Sequence, residues 1–461
     1  MKEEGDLLAL AVLGEFAKLP SKRKPSVRDN GLHEWVPLSG IVAKGPGFLK
    51  CVALATGMKC LPASKLPKAN GVALHDWHAE VLAVRAFNHF ILEECRRLII
   101  TPGYDGDDEV RSDFLRRRTD AEITLQQQHQ HHTENAKAHS WHGQAFAWRE
   151  DVTLHMYCSE APCGDASMEL IMAAQEDASP WDITPPSLSS TPPHADGTST
   201  PTPTPTPPPS LPGRGFFSQL GVVRRKPARG DAPPTLSKSC SDKIALKQCT
   251  SLLSSLGSLF VSPQAAYLTS LILPTSQFSP GACRRSFSAE EEEETEEAGA
   301  GQGRMRPLAN RHWGGGYAFV PFRVETTSLE FDFSKHMVSA RSDKTGASNL
   351  AVAWTALGCE EGLVGGVLQG RKQFDQKGAS LVSRRRMWSL AREVAGSLSA
   401  SASAATAGGE ITEIAQVLAE GAYDEVKEGG LLGTRRRVKG EARAEALKGW
   451  FRNTGDGEFG L

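Results

Sequence analysis

Hydrophobic and polar positions alternate along this chain in blocks that separate helices, strands and insertions. Leu7 to Phe16 is a short apolar helix pattern that ends near Lys18-Leu19-Pro20. Trp35 to Ala43 and Phe48 to Ala55 read as two strands, with Lys44-Gly45-Pro46-Gly47 as the turn between them. From His78 the period changes. Ala79, Leu82, Ala83, Ala86, Phe87, Phe90 and Ile91 keep the i, i+3, i+4 spacing of one helix face. Thr101-Pro102-Gly103 ends that helix. Val152 to Cys158 reads as a strand, followed by a turn and a helix to about Gln175. Leu220 to Lys226 is a further strand, and Ile244 to Leu256 a helix. Phe260 to Leu273 looks buried and partly extended. Tyr317 to Val324, Leu350 to Trp354 and Gly362 to Leu368 are strands, whereas Leu381 to Val394 and Ile411 to Lys427 are helices. No internal repeat is present.

Four blocks break the pattern. Residues 103–150 are polar and include the Gln/His tract Gln126 to His132. Residues 179–212 are rich in Pro, Ser and Thr and cannot build a core. Residues 284–306 carry an acidic run, and 397–409 are Ser/Ala-rich. All four are expected to be disordered insertions in one domain spanning 1–461, with its core at about 35–455.

Composition then narrows the class. A hydrophobic fraction of 39% with 44 Gly and 28 Pro fits a globular core with such interruptions. No apolar run is long enough to cross a bilayer, and Met1-Lys2-Glu3-Glu4 lacks the features of a signal peptide. Nine scattered cysteines do not form a disulfide framework, so an intracellular, reducing location is expected, nuclear or cytoplasmic. Net charge is −2, but Glu290 to Glu297 holds seven glutamates; removing their charge leaves +5. The folded part is thus compatible with RNA binding.

The chemistry centres on Asp76-Trp77-His78-Ala79-Glu80. His and Glu two apart at a helix start match the H-x-E pattern of zinc deaminases, in which the Glu is acid/base and not ligand. Cys163 follows a proline at a second helix start, and Cys240 opens a third. A helix N-terminus favours the thiolate that binds metal. His78, Cys163 and Cys240 therefore form a candidate zinc site with its fourth position open to water, and Glu80 is the candidate proton carrier. The other seven cysteines (Cys51, Cys60, Cys95, Cys158, Cys249, Cys283, Cys359) read as small apolar fillers. The usual deaminase signature has both cysteines in P-C-x-x-C. Here Ala166 stands three after Cys163, so the last ligand must be distant.

His78-Ala79-Glu80, Pro162-Cys163-Gly164-Asp165-Ala166 and Ser239-Cys240-Ser241-Asp242-Lys243, in this order, resemble the editase-type RNA adenosine deaminases. Lys18-Leu19-Pro20, Glu34-Trp35 through Val42, the Pro-Cys-Gly-Asp-Ala-Ser variant and Arg229-Gly230-Asp231 resemble the tRNA-specific branch. So does the lack of a double-stranded-RNA-binding module ahead of the core. The resemblance implies an α/β, cytidine-deaminase-like three-layer fold with a central mixed sheet, elaborated by C-terminal helices. It implies conversion of adenosine to inosine at position 37 of alanine tRNA, with no membrane or protein partner. It also implies a buried inositol hexakisphosphate held by Lys243, Arg85, Lys344, Tyr423, Lys427 and Trp450. A relay through Lys243, Asp76 and Lys226 would run from that ligand toward zinc, and Lys59 would contact RNA. Arg384 to Arg386 and Arg435 to Arg437 read as tRNA-phosphate contacts or ordinary surface charge. The alternatives are an editor of structured messenger RNA, a non-catalytic RNA-binding relative and a protein with purely structural zinc.

Overall fold

A computed structural model describes residues 2–100, 112–133, 141–173, 211–212, 219–226, 232–290, 303–401 and 408–461. Its centre is a mixed sheet of eight strands. In chain order these are β1 (Leu38–Gly45), β2 (Phe48–Thr56), β3 (Thr153–Cys158), β4 (Leu268–Pro274), β5 (Arg323–Thr327), β6 (Leu350–Thr355), β7 (Glu360–Val364) and β8 (Val367–Leu368). Their spatial order is β5-β4-β3-β1-β2-β6-β7-β8. β3, β4 and β5 pair in parallel, and every other neighbour pair is antiparallel. This is the mixed α/β fold that the family resemblance implies.

Side chains of a strand alternate between the two faces, and the sheet separates two cores accordingly. Along β1, Leu38 and Val42 face one side while Ile41 and Ala43 face the other. On the first face lies helix α1 (Lys2–Lys18), which packs Leu8, Ala9, Val12 and Phe16 against Leu54, Tyr157, Ile272 and Val352. Gly40 permits this approach: a Cβ there would stand 2.6 Å from a Val12 methyl. On the opposite face lies α2 (Ala79–Ile100), whose Leu82, Ala83, Ala86, Phe87 and Phe90 are fully buried. Beside it stand α3 (Cys240–Thr250), α4 (Arg384–Ser401), α5 (Gly408–Leu418), α6 (Tyr423–Glu428) and α7 (Gly433–Glu445). Helix, sheet and helices give three layers. No helix among the described residues is long and apolar enough to cross a membrane.

Several elements depart from the sequence pattern. Within 103–150, residues 112–133 and 141–150 are structured, with short strands at Leu115–Arg117 and Phe146–Trp148 and a helix at Asp120–Thr133. Their few apolar residues are widely spaced in sequence, yet Phe146 and Trp148 are fully buried. Trp148 packs on Phe87 of α2, and its indole N–H donates to the Val152 carbonyl at 2.8 Å. Of 284–306, residues 284–290 and 303–306 are described: Pro280–Phe287 is helical, and Arg285 and Arg304 are buried. The acidic core of that run lies outside the described residues, as does nearly all of 179–212. The Ser/Ala stretch begins as a continuation of α4 through Ser401, because serine and alanine tolerate a helix that packing already holds. The expected helix Ile411 to Lys427 splits into α5 and α6 around Gly421, with the Glu425 carboxylate accepting from the Ala422 N–H at 2.8 Å. The strand expected over Tyr317 to Val324 is displaced to β5. Pro321 offers no N–H to a ladder, and the Phe319 and Val320 amides bond to Arg311 and Gln248 carbonyls instead.

Trp148→Ala should lower unfolding free energy by about 3–5 kcal/mol, the usual cost of emptying a large aromatic site. Urea denaturation measures it; a loss below about 1 kcal/mol would mean that the 141–150 segment does not belong to the core.

Candidate active site

β1 runs antiparallel to both β2 and β3, so β2 and β3 point the same way and end at the same edge. The loop after β2 delivers Asp76 and His78; the loop after β3 delivers Cys163. The start of α2 is tied to the end of β2 by the Ala79 N–H, which donates to the Gly57 carbonyl at 2.8 Å. His78 precedes α2, and its carbonyl accepts the first helical hydrogen bond from Leu82 N at 2.8 Å. Cys163 lies in a turn two residues before a single 3-10 turn, Asp165–Ser167, so the helix expected to begin at Cys163 starts slightly later. Cys240 is the first residue of α3, capped by the Ser239 hydroxyl, which accepts from Asp242 N.

The two cysteine segments are bonded to each other. Ser241 N donates to the Cys163 carbonyl at 3.0 Å, and Ser241 Oγ donates to Pro162 O at 2.8 Å. Gly164 makes the contact possible. Its φ of 108° suits glycine alone, and a Cβ there would lie 2.3 Å from Ser239 Oγ. As a result one ligand atom each from His78, Cys163 and Cys240 falls within 4.8 Å of the others. His78 Nδ1 faces Cys163 Sγ at 3.8 Å, and Cys240 N donates to Cys163 Sγ at 3.4 Å. One nitrogen and two sulfurs are the donor set that suits zinc. A second group, Cys60, Asp76 and His78, also lies within that distance. It is the poorer site because both oxygens of Asp76 are already taken by ammonium groups.

The electrostatics are set by those ammonium groups. Asp76 is buried and accepts from Lys226 Nζ at 2.8 and 3.1 Å and from Lys243 Nζ. Burial works against its charge, but the two lysines hold its carboxyl well below the usual range. Lys226 also donates to Cys240 Sγ at 3.2 Å. Burial disfavours its charge too, yet Asp76, Cys163 and Cys240 together keep it firmly protonated. The hydrogen bond from Cys240 pushes the Cys163 thiol well below the ordinary range against the opposing effect of burial, with Lys226 and His78 as further cations nearby. Glu80 is 7% exposed; burial, reinforced by the charge of Cys163, raises its carboxyl above the usual carboxylate range. A carboxyl poised this way can both take and return a proton.

Behind Glu80 opens a cavity of about 320 Å³. Arg85 of α2, Lys243 and Lys247 of α3 and Arg384 of α4 line it, together with Lys427 of α6 and Arg435, Lys439 and Arg443 of α7. Tyr423 and Trp450 complete the wall, and Glu80 is the one carboxylate among the lining residues. Burial and then Arg384 press Lys427 down to about 8, and burial and then Arg435 push Lys439 well below the ordinary lysine range. The Nε atoms of Arg435 and Arg443 are buried with no acceptor among the described residues. So many cations around one cavity call for an anion.

Thus Lys243, Arg85, Tyr423, Lys427 and Trp450 come together, and Lys243, Asp76 and Lys226 form a continuous chain from cavity to Cys240. Lys344 does not join them. It sits on an exposed turn before the strand Thr345–Ala347, with its ammonium on the Asn30 carbonyl. Lys59 lies between β2 and Asp76, with its ammonium on the Asn349 side chain. Cys60, read as apolar filler, is partly exposed and adjoins His78. Lys247, Lys439 and Arg443 were not evident from the sequence, and Arg384 and Arg435 turn inward where a surface role was expected. The available signal was their spacing. Arg435, Lys439 and Arg443 recur every fourth residue, as do Lys243 and Lys247, which puts each set on one helix face.

Sheet, helix starts and this N,S,S cluster with its buried carboxyl define a deaminase-type site with room for one metal ion. An adenosine-deaminase (editase) domain model matches residues 53–133 and 114–454, and the chain belongs to that family of adenosine-deaminating enzymes. It is similar to tRNA-specific adenosine deaminase 1 of Schizosaccharomyces pombe, 33% identical over 401 residues, which are 86% of each chain. The Saccharomyces cerevisiae protein of the same name is 30% identical over 283 residues, 59% of this chain and 58% of its own. The Drosophila melanogaster one is 28% identical over 242 residues, 52% and 47%.

Asp76→Asn should cost about 3–5 kcal/mol, because it leaves the buried Lys226 ammonium and the partly buried Lys243 ammonium facing an uncharged partner. A depressed carboxyl pKa contributes stability above the unfolded value, near 3.9, and loses it as pH falls through the folded value. The difference between parent and variant in denaturant titrations should therefore be constant from about pH 8 to 5 and shrink below about pH 4. A difference that grows toward acid would contradict the assignment.

Proposed function

We propose that the protein is a zinc-dependent hydrolytic deaminase that converts adenosine to inosine in tRNA, at position 37 of alanine tRNA. The observation that carries the chemistry is the meeting of three soft ligand atoms beside one buried, proton-accepting carboxyl. The tRNA substrate is supported by the relatives, which are named tRNA-specific adenosine deaminase 1. The alanine tRNA position rests on the motif resemblance alone.

His78, Cys163 and Cys240 would hold the zinc, and three protein ligands leave a coordination position for the reaction. Bound zinc supplies the Lewis acidity that makes water nucleophilic near neutral pH. Glu80 takes one proton from the attacking water and hands it to the purine ring nitrogen, then carries the second, from the oxygen added at carbon 6, to the departing amino group. Oxygen is added at carbon 6, the carbon–nitrogen bond breaks, and ammonia leaves. Residue Glu80 is suited to both transfers because burial raises its carboxyl. An anticodon-loop base is already unpaired or readily flipped, so its entry requires little unstacking.

The lining of the cavity supports inositol hexakisphosphate as its ligand. Its cations surround about 320 Å³ with almost no carboxylate of their own, and two buried guanidinium Nε atoms await acceptors. Phosphate oxygens are acceptors of the required kind. The ligand would neutralise cations from five helices that otherwise repel one another, and Lys243 would connect it to Asp76.

Glu80→Gln should retain zinc and lower the deamination rate by about 10²–10⁴-fold, the range of a lost general acid/base. Inosine is mapped by sequencing after incubation of the parent with total tRNA, and in parallel with a long RNA duplex. Inosine in tRNA at adenosine 37 is expected. Inosine in the duplex alone would favour a messenger-RNA editor, and inosine in neither would contradict the reading.

A further inference from the structure

The metal site contains a repeated device. Each cysteine is followed two residues later by an aspartate, in Cys163-Gly164-Asp165 and Cys240-Ser241-Asp242, and both aspartates are 0% exposed. Neither contacts the site itself. Each carboxylate instead takes the same three kinds of donor. Asp165 accepts from Gly221 N at 2.9 Å, Ser286 Oγ at 3.2 Å and Arg285 Nε at 2.9 Å. Asp242 accepts from Arg224 N at 3.0 Å, Ser239 Oγ at 2.6 Å and Arg304 Nη1 at 2.6 Å. A backbone amide, a hydroxyl and a guanidinium serve each.

The donors come from two shared supports. Segment 221–226 gives both amides and continues into Lys226, which touches Cys240. This accords with its forming only a two-residue strand at Arg224–Arg225 rather than the full strand expected: the Gly221 and Arg224 amides serve carboxylates, not a ladder. Arg304 is bonded to the backbone at Arg285–Ser286, donating from its N to Arg285 O at 3.0 Å and from its Nε to Ser286 O at 2.9 Å. One strut thus grips both cysteine turns.

We infer that Asp165 and Asp242, with Arg285 and Arg304, are positioning residues that hold Cys163 and Cys240 at ligating separation and so slow the loss of the metal. A buried ion pair is a poor source of net stability, but a carboxylate hydrogen-bonded on both oxygens, as Asp165 and Asp242 are, is fixed in place. Two such clamps on a common strut make the sulfurs move together or not at all.

The inference rests on zinc being the bound metal, and the test separates the two. Zinc is quantified in the purified full chain, and its release to an excess of a chromogenic chelator is timed. Asp242→Asn and Arg304→Lys should each release zinc at least about tenfold faster than the parent, in line with the usual effect of removing a group that orients a ligand. Val394→Ala, in the buried face of α4 away from the clamps, serves as a control of general destabilisation and should release zinc at the parent rate. If Asp242→Asn does not fold, Arg304→Lys, which keeps charge but not the fork, carries the test. Parent-like release from the folded clamp variants, or equal acceleration by Val394→Ala, would overturn the inference. A parent that contains no zinc would instead overturn the zinc assignment.

Discussion

The Asp76 carboxylate, shared by Lys226 and Lys243 in the interior, is the interaction on which the rest depends. One buried carboxylate between two lysines leaves a net positive charge, and neither end of the chain can relax alone. Lys226 extends that charge to the sulfur of Cys240, while Lys243 extends it to a cavity walled by seven further cations. The sulfurs want a metal and the cavity wants an anion. Asp76 makes the two demands parts of one electrostatic problem.

The fold meets both demands at one place. Strands β2 and β3 end at the same edge, so the Asp76–His78 loop and the Cys163 turn converge without any long detour. Helix α3 then serves twice: its first residue is Cys240, and its Lys243 and Lys247 face the cavity. The C-terminal segment closes the arrangement. Asp456 accepts from Gly71 N at 2.7 Å and His75 Nε2 lies 2.7 Å from it, which ties the tail to the residue before Asp76. Phe459 stacks on Tyr423 with ring centroids 5.2 Å apart, at the wall of the same cavity.

Much of the site was legible in the sequence, for physical reasons. His78 and Glu80 stand at a sharp change of hydrophobic period, Cys163 stands in a short polar turn, and Cys240 opens a helix behind a polar cap, both places where a cysteine is not simply filling a core. The cavity was less legible. Arg435, Lys439 and Arg443 have the spacing of an ordinary solvated helix face, and only packing turns that face inward. Lys344 shows the reverse error, since the C-terminal third offers few local motifs to fix a match. Arg285 and Arg304 were hidden beside an acidic run that reads as disorder. The buried aromatics Phe146 and Trp148 were hidden in a polar block, where two residues are too few to set a period. The sheet itself was well marked except at 220–226 and 317–324, where backbone amides are committed to side chains or loop carbonyls.

Native mass spectrometry of the intact purified protein tests the central claim most directly, because it weighs metal and anion on the same molecule. The account predicts one zinc ion and one inositol hexakisphosphate per chain. It further predicts that Lys243→Ala, which cuts the connection to Asp76, diminishes both. A protein of bare polypeptide mass that remains folded and deaminates adenosine would contradict it.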